Sequence, residues 1–521
     1  MGSEKLFSYS GISTFIQRQL LAVEKLGNRL PHPTMLFIYL CGIALLLSAV
    51  MAGLGVSAEH PITSETVRAK NLLSGEGLRQ ILATAVTNFT AFAPVGTVLV
   101  AVMGIGVAEH SGLLRVLLNR TILNAPRRLM TFLVVFAGVL SSLASDTGYV
   151  VLVPLAGMLF LAAGRHPIAG IAAAFAGVSG GYSANLLVGP LDAVLAGLST
   201  EAAGLVDSSY EVTVAANYYF IFVSTFLISV VGTFVTEYWV SPLLGEYDPA
   251  MASQDVKELE SVTFAGDTAK EDRELNAVLV FTLVFVGLLL VCLVPDQGIL
   301  RDPETSSVLR SPFISGIVVV ISIYAALAGW MFGRLNGEFA NASDFVLGME
   351  RAMVTMASYI VLMFFAAQFV NWFGWSQLGT ITAIKGAEVL QALNPNAAVL
   401  LVLLVLLCAC INLLIGSASA KWALLAPIFV PMLLLSGISP EATQVAYRVG
   451  DSATNIITPL MPYFGVVVAF VQKYDRNAGV GTMLATMLPY SLMFLAAWSL
   501  LLGLWILFGL PLGPGAPIFV G

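Results

Sequence analysis

Five ionisable residues stand inside otherwise apolar runs of this 521-residue chain: Asp146, Asp192, Lys421, Arg448 and Asp451. Ionisable side chains are costly in apolar surroundings and usually serve a function there. Arg448 and Asp451 lie three positions apart, so on a helix they share a face and can form an ion pair. Alternatively, the guanidinium fork of Arg448 holds an anionic carboxylate or sulfonyl group, while Asp451 holds a coupling cation or a proton.

The other three positions leave more than one interpretation open. Asp192 closely follows Gly189 and Pro190, so its carboxylate can titrate, meet a cation or simply lie at an interface. Asp146 and Lys421 stand at or near polar tips between apolar arms, where partial solvation is enough to explain them.

Hydroxyl and amide side chains accompany these charges. They are Ser183, Asn185, Ser452, Thr454 and Asn455. Hard cations prefer oxygen ligands, and unwound helices add exposed backbone carbonyls, although capping of broken helix ends is an equal alternative. If a sodium ion is bound, we expect it at Asn185, Ser183, Asn455 and Asp451.

These residues belong to two stretches that resemble each other. Four pairs of residues share one constant offset along the chain: Asp146/Ser419, Tyr149/Trp422, Pro154/Pro427 and Pro167/Pro440. Four more pairs share a second offset: Gly181/Gly450, Ser183/Ser452, Ala184/Ala453 and Pro190/Pro459. Matched interruptions in two halves of a chain are typical of a secondary transporter's binding site. The paired aromatic rings, Tyr149 and Trp422, can stack an aromatic ligand or pack in the interior.

The composition indicates a polytopic α-helical membrane protein. Hydrophobic residues make up 58% of the chain and charged residues 11%, against about 25% charged in soluble domains. The net charge of −7 argues against a nucleic-acid partner. A crossing helix needs about 20 apolar residues, and on this basis the sequence predicts nine crossings. Seven are uninterrupted: 33–55, 87–108, 217–240, 277–296, 311–333, 350–373 and 484–508. The other two, 167–198 and 440–471, are each interrupted in the middle.

Two further segments, 130–163 and 397–436, each have two apolar arms around a polar tip. We predict re-entrant hairpins there, with two ordinary crossings as the alternative. Five predicted crossings separate the hairpins, and an odd number inverts the second copy relative to the first. The predicted fold is therefore all-α, with nine transmembrane helices and two re-entrant hairpins in inverted repeats. It forms one membrane unit over 1–521, with the copies at 130–198 and 397–471.

The distribution of basic residues predicts the orientation. Lys5, Arg18, Lys25 and Arg29 precede the first crossing, which places the N-terminus in the cytoplasm by the positive-inside rule. Following the crossings, the loop 241–276 is cytoplasmic and the C-terminus lies outside.

The interrupted stretches also resemble a known family. The run GSASAKWALLAPIFVP at 416–431 is similar to the second hairpin of the AbgT family. The runs AYRVGDSATNIITP at 446–459 and FAGVSGGYSANL at 175–186 are similar to its broken helices. The similarity extends over nearly the full length of the chain.

The resemblance implies an inner-membrane transporter that moves p-aminobenzoyl-glutamate or exports sulfonamide drugs, with a proton or sodium gradient as the driving force. It also implies a homodimer of nine-crossing protomers. The family's functional positions correspond to Asp192, Ser419, Trp422, Arg448, Asp451 and Pro459. We expect Ser417, Ser419, Trp422, Arg448 and Pro459 to bind substrate, and Asp192, Asp451, Asn185, Ser183, Asn455 and Thr454 to serve coupling. Lys421 departs from the neutral residue that the family has at that position.

Two other classes of protein remain as alternatives. Gly177-Val178-Ser179-Gly180-Gly181 fits the G-x-S-x-G pattern of rhomboid-like intramembrane serine proteases, but a nucleophilic serine also needs a base. The histidines are His32, His60, His110 and His166, and no histidine follows on a later membrane helix. We therefore expect a transporter rather than an enzyme. An ion channel is the second alternative, and matched broken helices favour alternating access over a permanent pore.

Overall fold

Apolar segments fold as helices in a membrane because a helix satisfies its own backbone hydrogen bonds. The computed structural model describes residues 33–59, 65–117, 129–144, 148–252, 268–295, 297–303, 305, 306, 308, 311–393, 395–458, 461 and 463–520. Its helices, numbered in chain order, are α1 (Pro33–Gly53), α2 (Gly75–Thr90), α3 (Ala93–His110), α4 (Met130–Leu140), α5 (Val153–Ala162), α6 (Pro167–Phe175), α7 (Pro190–Ala203), α8 (Tyr218–Val235), α9 (Thr268–Leu293), α10 (Ile317–Asn336), α11 (Ala342–Thr355), α12 (Ala357–Trp375), α13 (Leu378–Leu393), α14 (Ala397–Asn412), α15 (Ala418–Leu434), α16 (Pro440–Thr454), α17 (Phe464–Tyr474) and α18 (Val480–Leu507).

Shorter elements complete the described structure. Two strands, β1 (Ser57–Glu59) and β2 (Thr66–Arg68), pair antiparallel, with Ala58 opposite Val67. The short helical turns are Ser141–Ala144, Gly148–Leu152, Ala176–Gly180, Thr236–Val240, Ser241–Leu244, Pro249–Met251, Pro312–Ser315 and Asn455–Ile457.

Six helical spans in the described residues are long and apolar enough to cross a membrane, and a bent pair makes a possible seventh. The six are Thr34–Gly53, Gly75–His110, Tyr218–Leu244, Lys270–Leu293, Ile317–Asn336 and Val480–Leu507. They coincide with six of the seven plain crossings that the sequence predicts. The total of nine crossings stays a prediction, because the count of six rests only on the length and composition of each helix.

The seventh plain crossing, predicted as one helix over 350–373, is bent. Ala342–Val354 and Tyr359–Trp375 meet at an angle of 51°. The break contains no charged residue, proline or glycine, so the sequence carries no strong signal for it. The span Gly75–His110 begins before the predicted crossing 87–108 and includes α2, and α13 lies outside every predicted crossing.

Both predicted broken helices are interrupted in the structure. The helix α6 ends in the wide helical turn Ala176–Gly180 and passes through irregular chain over 181–189, and α7 then begins at Pro190. In the second copy, α16 ends in the tight turn Asn455–Ile457, and α17 begins at Phe464. A proline suits the first turn of a helix because its missing N–H would be unpaired there anyway.

The two segments predicted as hairpins are each a pair of short helices. In the first, α4 and α5 flank residues 141–152, of which 145–147, including Asp146, lie outside the described residues. In the second, α14 and α15 flank the irregular residues 413–417. Ser417 caps α15, with its Oγ accepting from the Ala420 amide at 3.4 Å.

In both copies the first hairpin arm packs tightly on the broken helix through a glycine. A Cβ added to Gly177 would lie 2.3 Å from the carbonyl oxygen of Val135 on α4. A Cβ added to Gly450 would lie 2.3 Å from the carbonyl oxygen of Val405 on α14. These are backbone contacts that a side chain cannot enter without moving a helix.

The predicted loop 241–276 is shorter in the structure. The turn Ser241–Leu244 continues the helical path of α8, and α9 already begins at Thr268. Residues 253–267 lie outside the described part, as does the basic N-terminal segment up to residue 32.

Candidate functional site

The two copies are joined by an ion pair between Arg448 and Asp192. Arg448 lies on α16 and Asp192 in the first turn of α7, and both are buried. The distance from Arg448 Nη2 to Asp192 Oδ1 is 2.5 Å. Asp192 Oδ2 accepts from the Gly189 amide at 2.7 Å. A carboxylate at the start of a helix also gains from the helix dipole, so Asp192 has local stabilisation that does not depend on Arg448.

Arg448 keeps unused donors at this pair. Its Nε and Nη1 are buried and have no hydrogen-bond partner among the residues that the structure describes. Its Nη2 also reaches the Ser183 carbonyl oxygen at 3.4 Å. Because a buried donor without a partner costs free energy, the guanidinium retains capacity for a further acceptor.

A small cavity of about 20 Å³ adjoins the pair. It is lined by Ser142, Tyr182, Ser183, Asn185, Gly189, Pro190, Leu191, Asp192 and Arg448. A cavity of this size has room for about one water molecule. It is too small for an aromatic amino-acid conjugate, so binding a larger ligand here requires the copies to separate.

A second buried ion pair lies within the second copy. Lys421, in the first turn of α15, contacts Asp451 on α16 through its ammonium, and both side chains are 1% exposed. The same ammonium donates to Asn412 Oδ1 at the end of α14. The pair therefore ties together three helices of one copy.

Asn412 extends this cluster toward the break after α16. Its Nδ2 donates to the Asp451 carbonyl oxygen at 2.6 Å, to Thr454 Oγ1 at 2.8 Å and to Asn455 Oδ1 at 3.0 Å. The Tyr447 hydroxyl donates to the Ala418 carbonyl oxygen at 2.6 Å and lies 3.3 Å from Asp451 Oδ1. Asp451 Oδ2 is buried and has no hydrogen-bond partner among the described residues.

The structure does not contain the ion pair between Arg448 and Asp451 that the sequence left open as one alternative. Each of the two residues pairs instead with a residue of another helix, Arg448 with Asp192 and Asp451 with Lys421. Spacing along a helix shows which residues share a face, whereas packing decides which partner each one reaches.

The residues expected to bind sodium fall into two groups. Ser183 and Asn185 line the cavity beside Asp192, and Asn185 Nδ2 donates to Ser142 Oγ at 2.8 Å. Thr454, Asn455 and Asp451 belong to the Asn412 cluster. The groups meet where the Ser183 amide donates to Ser452 Oγ at 3.0 Å, a contact between matched positions of the two copies.

Trp422 lies in the interior between the copies and is fully buried. Its ring stacks on Tyr447, with centroids 4.6 Å apart and planes inclined by 25°. Its Nε1 donates to Ser199 Oγ at 3.0 Å and to the Leu195 carbonyl at 3.2 Å, both on α7. In this structure the ring that was expected to stack on a ligand stacks on a tyrosine instead.

The remaining expected residues lie at the edges of this region. Ser417 Oγ is 3.4 Å from Ser419 Oγ at the start of α15. Tyr149 stacks on Tyr463, with centroids 4.6 Å apart. Pro459 lies outside the described residues, as does Asp146.

Sequence analysis missed several polar residues of the site. Asn412 and Tyr447 hold Asp451, Ser142 holds Asn185, and Ser199 links Trp422 to Gln444 Oε1 at 2.8 Å. Asn412 stands alone in an apolar run, and a lone amide at membrane depth is the signal that would have identified it.

Ser179, the serine of the G-x-S-x-G pattern, does not have the surroundings of a catalytic nucleophile. Ser179 is buried, and its hydroxyl lies 3.7 Å from the sulfur of Met461. Of the two histidines in the described part, His110 contacts Arg351 and His166 accepts from the Ile168 amide at the start of α6.

Comparison with known proteins agrees with this architecture. The model of the AbgT putative transporter family matches residues 18–520. The p-aminobenzoyl-glutamate transport protein of Escherichia coli (strain K12) is 37% identical over 493 residues, which cover 95% of each chain.

Two solved structures are similar over nearly their whole length. The YdaH transporter of Alcanivorax borkumensis, which has an unusual topology, is 52% identical with a TM-score of 0.87, covering 93% of this chain and 100% of that chain. MtrF of Neisseria gonorrhoeae, which illuminates a class of antimetabolite efflux pumps, is 47% identical with a TM-score of 0.90, covering 96% of this chain and 100% of its own.

Proposed function

The chain belongs to the AbgT family of transporters, and we propose that it is a secondary active transporter for aromatic carboxylates and sulfonamides. Its substrates are p-aminobenzoyl-glutamate-like folate catabolites, exported sulfonamide antimetabolites, or both. The proposal draws on the transport protein of Escherichia coli, which carries p-aminobenzoyl-glutamate, and on MtrF, which represents antimetabolite efflux pumps.

The observation that carries the proposal is the state of Arg448. Its guanidinium borders a cavity at the junction of the two copies, is held by one carboxylate and keeps two donor nitrogens without a described partner. A planar fork with free donors suits the carboxylate of a glutamyl group or a sulfonyl group. We propose that the acidic group of the substrate binds here.

Asp192 then serves as the coupling residue. When an anionic substrate binds Arg448, the carboxylate of Asp192 competes with it for the same guanidinium. A proton or a sodium ion on Asp192 relieves this competition, and Ser183 and Asn185 supply oxygens next to it. Ion binding at Asp192 and substrate binding at Arg448 therefore depend on each other, as coupled transport requires.

The two copies move against each other around this site in the proposed cycle. Two observations support inverted repeats: the contact between the matched residues Ser183 and Ser452, and the equivalent glycine contacts at Gly177 and Gly450. In inverted-repeat transporters the site lies between the repeats, and rocking of one repeat exposes it to either side. The re-entrant form of both hairpins belongs to this proposal.

We further propose a homodimer in the inner membrane, with the N-terminus and the loop 241–276 in the cytoplasm and the C-terminus outside. Light scattering on the purified chain, corrected for bound detergent, tests the dimer. Labelling of single introduced cysteines from each side of the membrane tests the orientation.

A binding and counterflow experiment tests the central proposal. Purified wild-type protein should bind p-aminobenzoyl-glutamate and a sulfonamide, and proteoliposomes should exchange labelled p-aminobenzoyl-glutamate when a proton or sodium gradient is imposed. Arg448→Ala should weaken binding by about 1.5–3 kcal/mol, the value of a hydrogen bond to a charged group, or roughly 10- to 140-fold.

Two further variants sharpen that test. Arg448→Lys should restore binding in part, because an ammonium carries the charge without the planar fork. Arg351→Ala is the matched control, since Arg351 is exposed, contacts His110 and does not line the cavity. Wild-type binding by Arg448→Ala would place the ligand elsewhere and reduce Arg448 to a structural partner of Asp192.

Neither alternative class is favoured. The family consists of transporters rather than proteases, and Ser179 faces a methionine sulfur. A channel would give flux that does not saturate and needs no counter-substrate, which the same counterflow assay distinguishes.

A further inference from the structure

The ammonium of Lys421 lies where a bound cation would lie. Its two described acceptors are the amide oxygen of Asn412 and the carboxylate of Asp451. The hydroxyl of Tyr447 meets the same carboxylate, and Thr454 and Asn455 follow through Asn412. Carboxylate, amide and hydroxyl oxygens beside a broken helix are the set that transporters use to hold a coupling cation.

The helix that carries Lys421 does not favour a positive charge at that position. It stands in the first turn of α15, where the helix dipole disfavours a cation. Asp451 stands in the last turn of α16, where the dipole disfavours an anion. Both are fully buried, so each charge depends on the other. The counterpart of Lys421 in the first copy, at the offset that relates Tyr149 to Trp422, is Gly148. The arrangement is therefore specific to the second copy.

We propose that Lys421 is a tethered cation that takes the place of a coupling ion at Asp451. In this chain the oxygens around Asp451 then bind no sodium, and exchange of the coupling ion is confined to Asp192. This inference rests on the proposed transport function and assigns the two carboxylates different roles. Lys421 acts as a specificity-determining residue, because it decides whether the second copy takes up an ion.

The inference predicts that removing the ammonium creates a sodium site. In Lys421→Gln the side chain keeps most of its length, the positive charge is lost, and Asp451 retains both carboxylate oxygens. A sodium ion can then enter beside Asp451 and Asn412. Anything that binds the folded state alone stabilises it by mass action, so sodium should stabilise this variant.

The experiment compares melting temperatures of the purified full-length chain in sodium chloride and in choline chloride, at equal concentration and pH. The difference between the two salts should be larger in Lys421→Gln than in wild type. The difference should return to the wild-type value in Lys421→Gln/Asp451→Asn, because neither substituted side chain carries a charge that a sodium ion could compensate. Lys385→Gln is the control for loss of a paired lysine, because Lys385 forms an exposed pair with Glu388.

The outcomes decide the inference without any substrate. A sodium response of Lys421→Gln no larger than that of wild type overturns it. If Lys421→Gln is too unstable to purify in choline chloride, folded protein recovered in sodium chloride alone supports the inference. Failure in both salts, while the neutral double variant folds, overturns it. Since transport is not measured, loss of the proposed substrate specificity would leave this result unaffected.

Discussion

Among the described residues, two ion pairs are buried on both sides, Arg448–Asp192 and Lys421–Asp451, and they differ in their surroundings. Arg448–Asp192 joins the two copies and borders a cavity, and its arginine has donors to spare. Lys421–Asp451 lies inside the second copy, where Asn412 and Tyr447 enclose it.

The helix ends explain the difference. Asp192 stands at the start of α7, where the dipole and the Gly189 amide stabilise its carboxylate without Arg448. Lys421 and Asp451 both stand at helix ends that disfavour their charges. In the proposed cycle the first pair opens at a lower cost than the second, because Asp192 keeps the helix dipole and the Gly189 amide and Arg448 borders the cavity, whereas Lys421 and Asp451 have no such compensation.

The largest expected effect follows from opening the second pair. Asp451→Asn should destabilise the folded protein by about 3–5 kcal/mol, since it leaves the Lys421 charge buried and uncompensated. Reversible denaturation in mixed micelles measures the free energy of unfolding. Lys421→Gln/Asp451→Asn should recover most of this loss in choline chloride. As an exposed control, Glu388→Gln should cost at most about 1 kcal/mol.

Opening the first pair should cost less. Asp192→Asn removes one charge and leaves one amide oxygen, which can accept from Arg448 or from the Gly189 amide but not from both, beside a cavity that can admit water. We expect a loss of about 1.5–3 kcal/mol, the value of a charged hydrogen bond, in the same denaturation assay. A cost equal to that of Asp451→Asn would mean that the two pairs are equivalent, and the comparison would be wrong.

The glycine contacts test whether both copies need the same close packing. Gly450→Ala and Gly177→Ala each force a Cβ to within 2.3 Å of a backbone carbonyl. Overpacking of this kind costs about 1–3 kcal/mol. Gly503→Ala on α18 is the matched control, because an added Cβ meets nothing within 4 Å there, and alanine suits a helix better than glycine. Thermal unfolding of all three variants gives the ranking, and unequal costs at Gly177 and Gly450 would show that the copies are packed differently.

These regions also show how far sequence alone could reach. The constant offsets located both broken helices, and the ionisable residues in apolar runs included Arg448, Asp192 and Asp451, which the structure places in buried ion pairs. The sequence could not show which residue pairs with which, because Arg448 and Asp192 are 256 positions apart and no local pattern links them. Asn412 carried a usable signal, a lone amide in an apolar run, whereas the bend between α11 and α12 falls within a stretch of high mean hydropathy that contains neither proline nor glycine. Hydropathy records where a chain is apolar, whereas pairing and bending depend on packing.

The smallest expected effect concerns Trp422, which belongs to the enclosed region although it was expected at the ligand. Trp422→Phe keeps an aromatic face for Tyr447 but removes the indole N–H that Ser199 and Leu195 share. The loss should be about 1 kcal/mol of stability, the net value of an ordinary hydrogen bond. Ser199→Ala removes the same bond and also the bond from Ser199 to Gln444, so it should cost somewhat more, and the two losses should add only in part because they share the Trp422–Ser199 bond. Affinity for p-aminobenzoyl-glutamate, measured on the same samples, separates the two roles of the ring. If Trp422 packs on Tyr447 throughout the cycle, Trp422→Phe binds substrate as wild type does. If the copies separate to let the ring meet the ligand, affinity falls while Ser199→Ala retains it, and Trp422 then belongs with Arg448 in the exchangeable region.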